Sequence, residues 1–122
     1  MYIDDARAQY AHVYEALKTD PANTRYGVTG ETGKELLTRC KDTLHRIASE
    51  NDGKTLLVVT HGGVVRTLYR HWASPEEATH APTFPNASVS VLEYDPQTQK
   101  ANYLLCAYTD HLKEMGDEYI TR

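Results

Sequence analysis

The sequence predicts an α/β fold in which helices cover both faces of a mostly parallel, Rossmann-like sheet, giving three layers (αβα). Residues 55–60, Thr-Leu-Leu-Val-Val-Thr, form a short continuous apolar run, the pattern of a strand buried on both faces. Stretches with helical periodicity lie on either side of it, as they do where strands alternate with helices. Further on, residues 88–94 alternate small polar with apolar or aromatic side chains, the period of two that marks strands, and 102–108 read as a second strand beyond a turn. A chain of 122 residues that is 40% apolar can bury one core. No repeat, low-complexity tract or linker interrupts it, so residues 1–122 are expected to form one domain.

Taken in order, residues 4–18 open with two acids and set Tyr10, Val13, Tyr14 and Leu17 on one side, which predicts a single amphipathic helix ending at Asp20-Pro21. A polar loop punctuated by Gly27 and Gly30 follows. Thr32 and Glu35 have the three-residue spacing of a capping box, in which each side chain satisfies a free backbone N–H at a helix start. Leu36, Leu37, Cys40, Leu44 and Ile47 supply that helix's buried stripe, and Asn51-Asp52-Gly53 ends it. After the apolar run, a helix is expected over about residues 64–72. The segment 73–87 contains Pro75, Pro82 and Pro85 and reads as an irregular connection outside the core, with one helical turn at Pro75-Glu76-Glu77. Residues 88–94 and 102–108 then pair as a hairpin across Asp95-Pro96-Gln97-Thr98-Gln99, at a sheet edge.

Composition excludes several function classes. Seventeen acidic against thirteen basic residues leave a formal charge of −4, and the basic residues are scattered, so nucleic acid is not an expected partner. Nine tyrosines beside one phenylalanine suit half-wet packing positions more than a base-stacking surface. No apolar stretch is long enough to span a membrane, and Met1-Tyr2-Ile3-Asp4-Asp5 is acidic where a signal peptide would be basic, which makes the cytoplasm the expected location. Cys40 and Cys106 stand apart from each other and from any ligand-like spacing. They read as small apolar fillers, with no disulfide, no zinc and no other metal or cofactor expected.

The chemistry concentrates at Leu57-Val58-Val59-Thr60-His61-Gly62-Gly63-Val64-Val65-Arg66. In open α/β sheets ligands bind at the carboxyl ends of strands, and His61 sits at such an end with a helix starting after it. A helix start offers unpaired N–H groups and partial positive charge to an anion. Gly62 and Gly63 remove side chains that would block a phosphate from the backbone. An imidazole there can donate a hydrogen bond to a phosphoryl oxygen. A tight strand-to-helix turn with an incidental histidine explains the same spacing equally well, since two glycines make a weak motif. His12, on the first helix, reads as structural, and His45 and His80 as surface residues. Arg39 and Arg66 could each reach a phosphate, although salt bridges on helix faces are the commoner use.

Beyond that junction, Gly30-Glu31-Thr32 opening a helix with Arg39, the Leu-Val-Val-Thr-His61-Gly-Gly-Val-Val-Arg66 run, Phe84-Pro85-Asn86-Ala87-Ser88-Val89-Ser90-Val91-Leu92-Glu93-Tyr94 and Asp110-His111-Leu112 follow one another in order. This series, over about residues 26–112, resembles the C-terminal half of the histidine phosphatase superfamily, to which phosphoglycerate mutases and their phosphatase relatives belong. The resemblance implies a phosphoglycerate-mutase-like domain, incomplete at its N-terminus, acting on small phosphomonoesters without a metal. It implies that His61 is the second active-site histidine, touching the transferring phosphoryl group, with the Gly62 N–H beside it and Gly63 next to that. Asn86 would lie near the rim; capping the turn after Pro85 is its other reading.

In that family the nucleophile is a histidine in an Arg-His-Gly triplet at the end of the first strand, and these 122 residues contain no such triplet. Arg70-His71 is followed by Trp72 and falls late in an expected helix, where both side chains complement the C-terminal dipole. The resemblance therefore implies a chain that carries one flank of the site and is inactive alone. It also implies an absent strand between residues 55–60 and the strand holding Val89 and Val91, so that self-association or a complementing fragment is expected. The competing expectation is a non-catalytic truncated or split module that binds phosphate or complements an N-terminal fragment.

Overall fold

The computed structural model describes residues 2–115 and is of mixed helix and strand composition. The chain divides into two compact units, with the boundary between Arg39 and Cys40.

In the first unit, the helix expected over residues 4–18 is two helices, α1 (Ile3–Gln9) and α2 (Ala11–Thr19). Tyr10 separates them with φ −121° and ψ 38°, outside helical geometry. The apolar spacing runs through the break because both short helices keep the same period, so periodicity could not reveal it. Neither helix buries a residue, and Tyr10 of the expected stripe is exposed while Val13, Tyr14 and Leu17 are half-buried. After α2 the Thr24 hydroxyl donates to the carbonyls of Ala16 (3.1 Å) and Asp20 (2.6 Å), fastening the turn at Pro21. Arg25 and Thr32 then form an isolated bridge across the Gly27–Gly30 loop, with Gly27 at φ +69°.

The third helix, α3 (Gly33–Glu50), starts as the sequence dictates. Thr32 Oγ1 accepts the Glu35 N–H (3.2 Å), and Glu35 Oε2 accepts the Thr32 N–H (3.0 Å). Arg25 adds a hydrogen bond from Nη2 to Glu35 Oε1 at 2.7 Å. The Arg25 hydrogen bond, followed by that of the Thr32 backbone, holds the Glu35 carboxyl below the ordinary carboxylate range. A carboxylate depressed on folding stabilises at pH above its unfolded value, and the contribution is lost as pH falls through the folded value. Acidification through that range is therefore expected to fray the start of α3, seen as faster amide exchange at residues 34–36. Glu35→Gln should fray it at neutral pH and abolish the dependence; identical exchange in both proteins would count against the box as a source of stability. At the other end, Gly53 adopts φ +75°, the left-handed conformation expected of a helix terminator.

In the second unit, α4 (Gly62–Trp72) begins two residues before the expected start, and α5 (Pro75–Thr79) occupies the expected helical turn. A second capping box starts α5: Ser74 Oγ accepts the Glu77 N–H and the Glu77 carboxylate accepts the Ser74 N–H. The hairpin is present as β1 (Val89–Asp95) antiparallel to β2 (Lys100–Tyr108), with register shifts between Val89 and Val91 and between Val91 and Leu92. Its turn is organised by Asp95, whose carboxylate accepts the Gln97 N–H (2.9 Å) and the Thr98 hydroxyl (3.0 Å). A 3-10 helix, Asp110–Met115, follows.

The core of this unit is small. Cys40, Tyr69, Phe84 and Leu112 are its buried apolar side chains among the described residues. Tyr69 of α4 packs edgewise on Tyr103 of β2 (ring centroids 5.2 Å apart) and against Phe84 (5.6 Å). Segment 73–87 is thus not excluded from the core as its prolines suggest. The Phe84 ring inserts into it because a connection can carry one large apolar anchor while its backbone stays irregular.

Residues 55–60 depart most from expectation: they form no strand and are not buried on both faces. Leu57 and Val59 are 91% and 88% exposed, and Leu56 and Val58 41% and 51%. A strand needs neighbours for its N–H and C=O groups, and among the described residues the one sheet has two strands, β1 and β2.

Candidate functional site

His61 occupies the N-cap of α4 with an extended backbone, φ −98° and ψ 153°. Its carbonyl accepts the N–H groups of Val64 (3.0 Å) and Val65 (3.2 Å), closing the first turn. Its imidazole makes no capping bond and is exposed. The Gly62 and Gly63 N–H groups precede the first intrahelical donors and find no backbone acceptor among the described residues. Two donors and an unengaged imidazole therefore stand together at the positive end of an eleven-residue helix.

The two glycines differ in what they permit. A side chain at Gly62 would come within 3.3 Å of the Phe84 carbonyl oxygen, whereas Gly63 faces open space. A side chain at Gly62 would thus push the 84–88 segment outward by a few tenths of an ångström, whereas one at Gly63 would meet nothing. Asn86 is exposed at the apex of the turn that the Ser88 N–H closes on the Pro85 carbonyl (3.1 Å), two residues beyond the carbonyl that faces Gly62. His61, Gly62 and Gly63 are contiguous, and the Phe84 contact brings the turn bearing Asn86 to the same end of α4.

Other candidates lie elsewhere or are occupied. Arg39 forks onto Glu31, with Nη2 to Oε2 at 3.0 Å, and that pairing draws the Glu31 carboxyl below its usual range. Arg66 is exposed on α4 and makes no ion pair with the described residues. Arg70 and His71 fill the last turn of α4, the His71 ring edge-on to Trp72. His45 is not a plain surface residue: it is half-buried and Nδ1 hydrogen-bonds the Tyr94 hydroxyl at 2.8 Å, since α3 lays it against β1. His12 and His80 are exposed. Surface concavities bordered by Arg7, Tyr14 and Lys18, and by Thr32, Glu35 and Arg39, belong to the first unit, and His61 borders neither.

One residue at the site escaped residue-by-residue reading. His111 Nε2 donates to the Ala87 carbonyl at 2.8 Å, and its ring stacks on Tyr108 with centroids 5.7 Å apart. Its only sequence signal is its place in the Asp110-His111-Leu112 motif.

The model of the histidine phosphatase superfamily (branch 1) matches residues 1–106. The chain belongs to this superfamily. Among its relatives, the metal-independent phosphoserine phosphatase of Arabidopsis thaliana is 28% identical over 118 residues, covering 95% of this chain and 47% of the relative. Phosphoglycerate mutase-like protein 4 of the same plant is 36% identical over 104 residues, covering 84% of this chain and 44% of the relative. Bacillus stearothermophilus YhfR superposes with a TM-score of 0.73 at 20% identity, over 90% of this chain and 54% of that one, a likeness of fold. The chain thus spans about half the length of these proteins.

Within it, burial raises the Cys106 thiol above its ordinary range, opposite to the shift that activates a nucleophilic cysteine. Among the described residues, no three His, Cys, Asp or Glu side chains are grouped to hold a metal ion, and no helix is long and apolar enough to cross a membrane.

Proposed function

We propose that this chain carries the second-histidine half of a phosphoryl-transfer site that acts on small phosphomonoesters through a phosphohistidine. His61 donates a hydrogen bond to a phosphoryl oxygen, the Gly62 and Gly63 amides share the same charge, and Asn86 stands at the rim. Preorganised donors of this kind act on the charge that develops as the phosphoryl group moves, and need no reorganisation at that moment. The attacking imidazole, further cationic donors and the acid for the leaving alcohol come from a segment outside residues 1–122. In the assembled three-layer (αβα) fold residues 55–60 are a central strand of a mostly parallel sheet, the whole chain being part of one cytoplasmic domain. The phosphoryl group then passes to water or to another hydroxyl. The phosphatase and mutase-like names of the relatives support this reaction class.

The observation that carries the proposal is the unengaged imidazole of His61 beside the open amides at the start of α4. The exposure of that imidazole favours a second reading, a non-catalytic module that binds phosphate weakly or complements a fragment. Inorganic phosphate titrated into the isotopically labelled chain is expected to shift the Gly62 and Gly63 amide signals, with the shifts reduced in His61→Ala. Absence of any response at these amides would overturn both readings of the junction as a phosphate site.

A further inference from the structure

We infer that His111 is a positioning residue, holding the 85–88 turn so that Asn86 is presented to the phosphate site. The inference rests on the reading of His61 and its neighbouring amides as that site.

The turn is unusual in its third residue. Ser88 N–H closes on the Pro85 carbonyl at 3.1 Å, which puts Asn86 and Ala87 at the two central positions, and Ala87 has φ +59°. Turns with positive φ at that position take glycine or asparagine, because a Cβ is strained there. A strained residue persists where its surroundings over-determine it. Two attachments do so here. On the near side, Phe84 and Pro85 are buried, the Phe84 ring lies against Tyr69, and the Phe84 carbonyl faces Gly62. On the far side, His111 Nε2 binds the carbonyl of the strained residue itself at 2.8 Å.

His111 is in turn fixed from both directions. Its ring is nearly parallel to Tyr108 at 18°, and the adjacent Leu112 is buried, with its N–H on the Thr109 carbonyl at 2.8 Å. The end of β2 and the 3-10 helix therefore hold one imidazole against one carbonyl, and the exposed Asn86 is the side chain this arrangement aims. Neither group needs to touch the ligand. The imidazole acts through the Ala87 peptide.

The test is a phosphate titration of four labelled chains: wild type, His111→Ala, His111→Gln and Ala87→Gly/His111→Ala. In His111→Ala the Asn86 signal should lose its response to phosphate and apparent affinity should fall roughly five- to tenfold, the scale of one hydrogen bond. Gln retains a donor and should restore much of the response. Glycine at position 87 removes the strain and should shrink the effect of His111→Ala, which a generally structural role would not do. Wild-type affinity in His111→Ala, or equal losses with alanine and glutamine, overturns the inference while the site stands. No response at Gly62 and Gly63 in the wild type removes the site, and the inference with it.

Discussion

A Leu57→Lys/Val59→Lys variant is expected to be a monomer at concentrations where the parent chain associates, its association constant lower by roughly 10²- to 10⁴-fold. Leu57 and Val59 are almost fully exposed at 91% and 88%, on a segment that has no ladder partner among the described residues. Burying such a side chain contributes about 1.5–3 kcal/mol, so two together give about 3–6 kcal/mol, the stated range of association constants. The backbone of the segment adds unpaired donors and acceptors, the template on which another strand pairs. Further apolar surface acts in the same sense, because Val89, Val91, Leu104 and Leu105 of the hairpin are exposed. Sedimentation velocity over a wide concentration range measures the effect. Val28→Lys is the control: Val28 is 94% exposed but stands in the Gly-punctuated loop outside any apolar run, and its replacement should change nothing. A parent chain that sediments as a monomer at every concentration and melts in one sharp transition would refute the idea.

The same segment shows how far the sequence could be read. The caps were legible because they depend on residues three apart: Thr32 with Glu35 is a local pair, and the structure forms it. The hairpin was legible for a similar reason, as Asp95 organises its own turn within three residues. The break at Tyr10 was not, since neither glycine nor proline marks it and the apolar spacing continues across it. Phe84 was misplaced because prolines on either side describe the backbone, while burial follows the ring, which finds Tyr69 fifteen residues away. At the candidate site, the position of His61 and the glycines at the start of α4 was legible from an apolar run meeting a helix. The bond from His111 to Ala87 spans 24 residues and depends on a positive φ, and neither fact has a local signature. For residues 55–60 the apolar run reads as a doubly buried strand, whereas the structure has an exposed segment with no ladder partner among the described residues.

The length of its relatives that the chain does not cover makes the second large effect measurable. The chain spans 44% of its mutase-like relative, and the remaining part of that relative can be supplied as a separate polypeptide. The mixture is expected to hydrolyse a generic phosphomonoester, and neither part alone to do so, because attack, charge stabilisation and leaving-group protonation must meet in one site. Replacing His61 by alanine in the mixture should lower kcat by about 10²- to 10³-fold, the usual loss for one preorganised donor at a developing oxyanion. KM should change little, since the donor acts on charge present chiefly in the transition state. His61→Gln keeps an N–H near the same position and should recover part of the loss, as a side chain that merely filled space would not. Complementation that restores turnover equally with His61 and with alanine would show that the phosphoryl group is handled elsewhere. The open amides at the start of α4 would then be a consequence of the Gly-Gly turn alone.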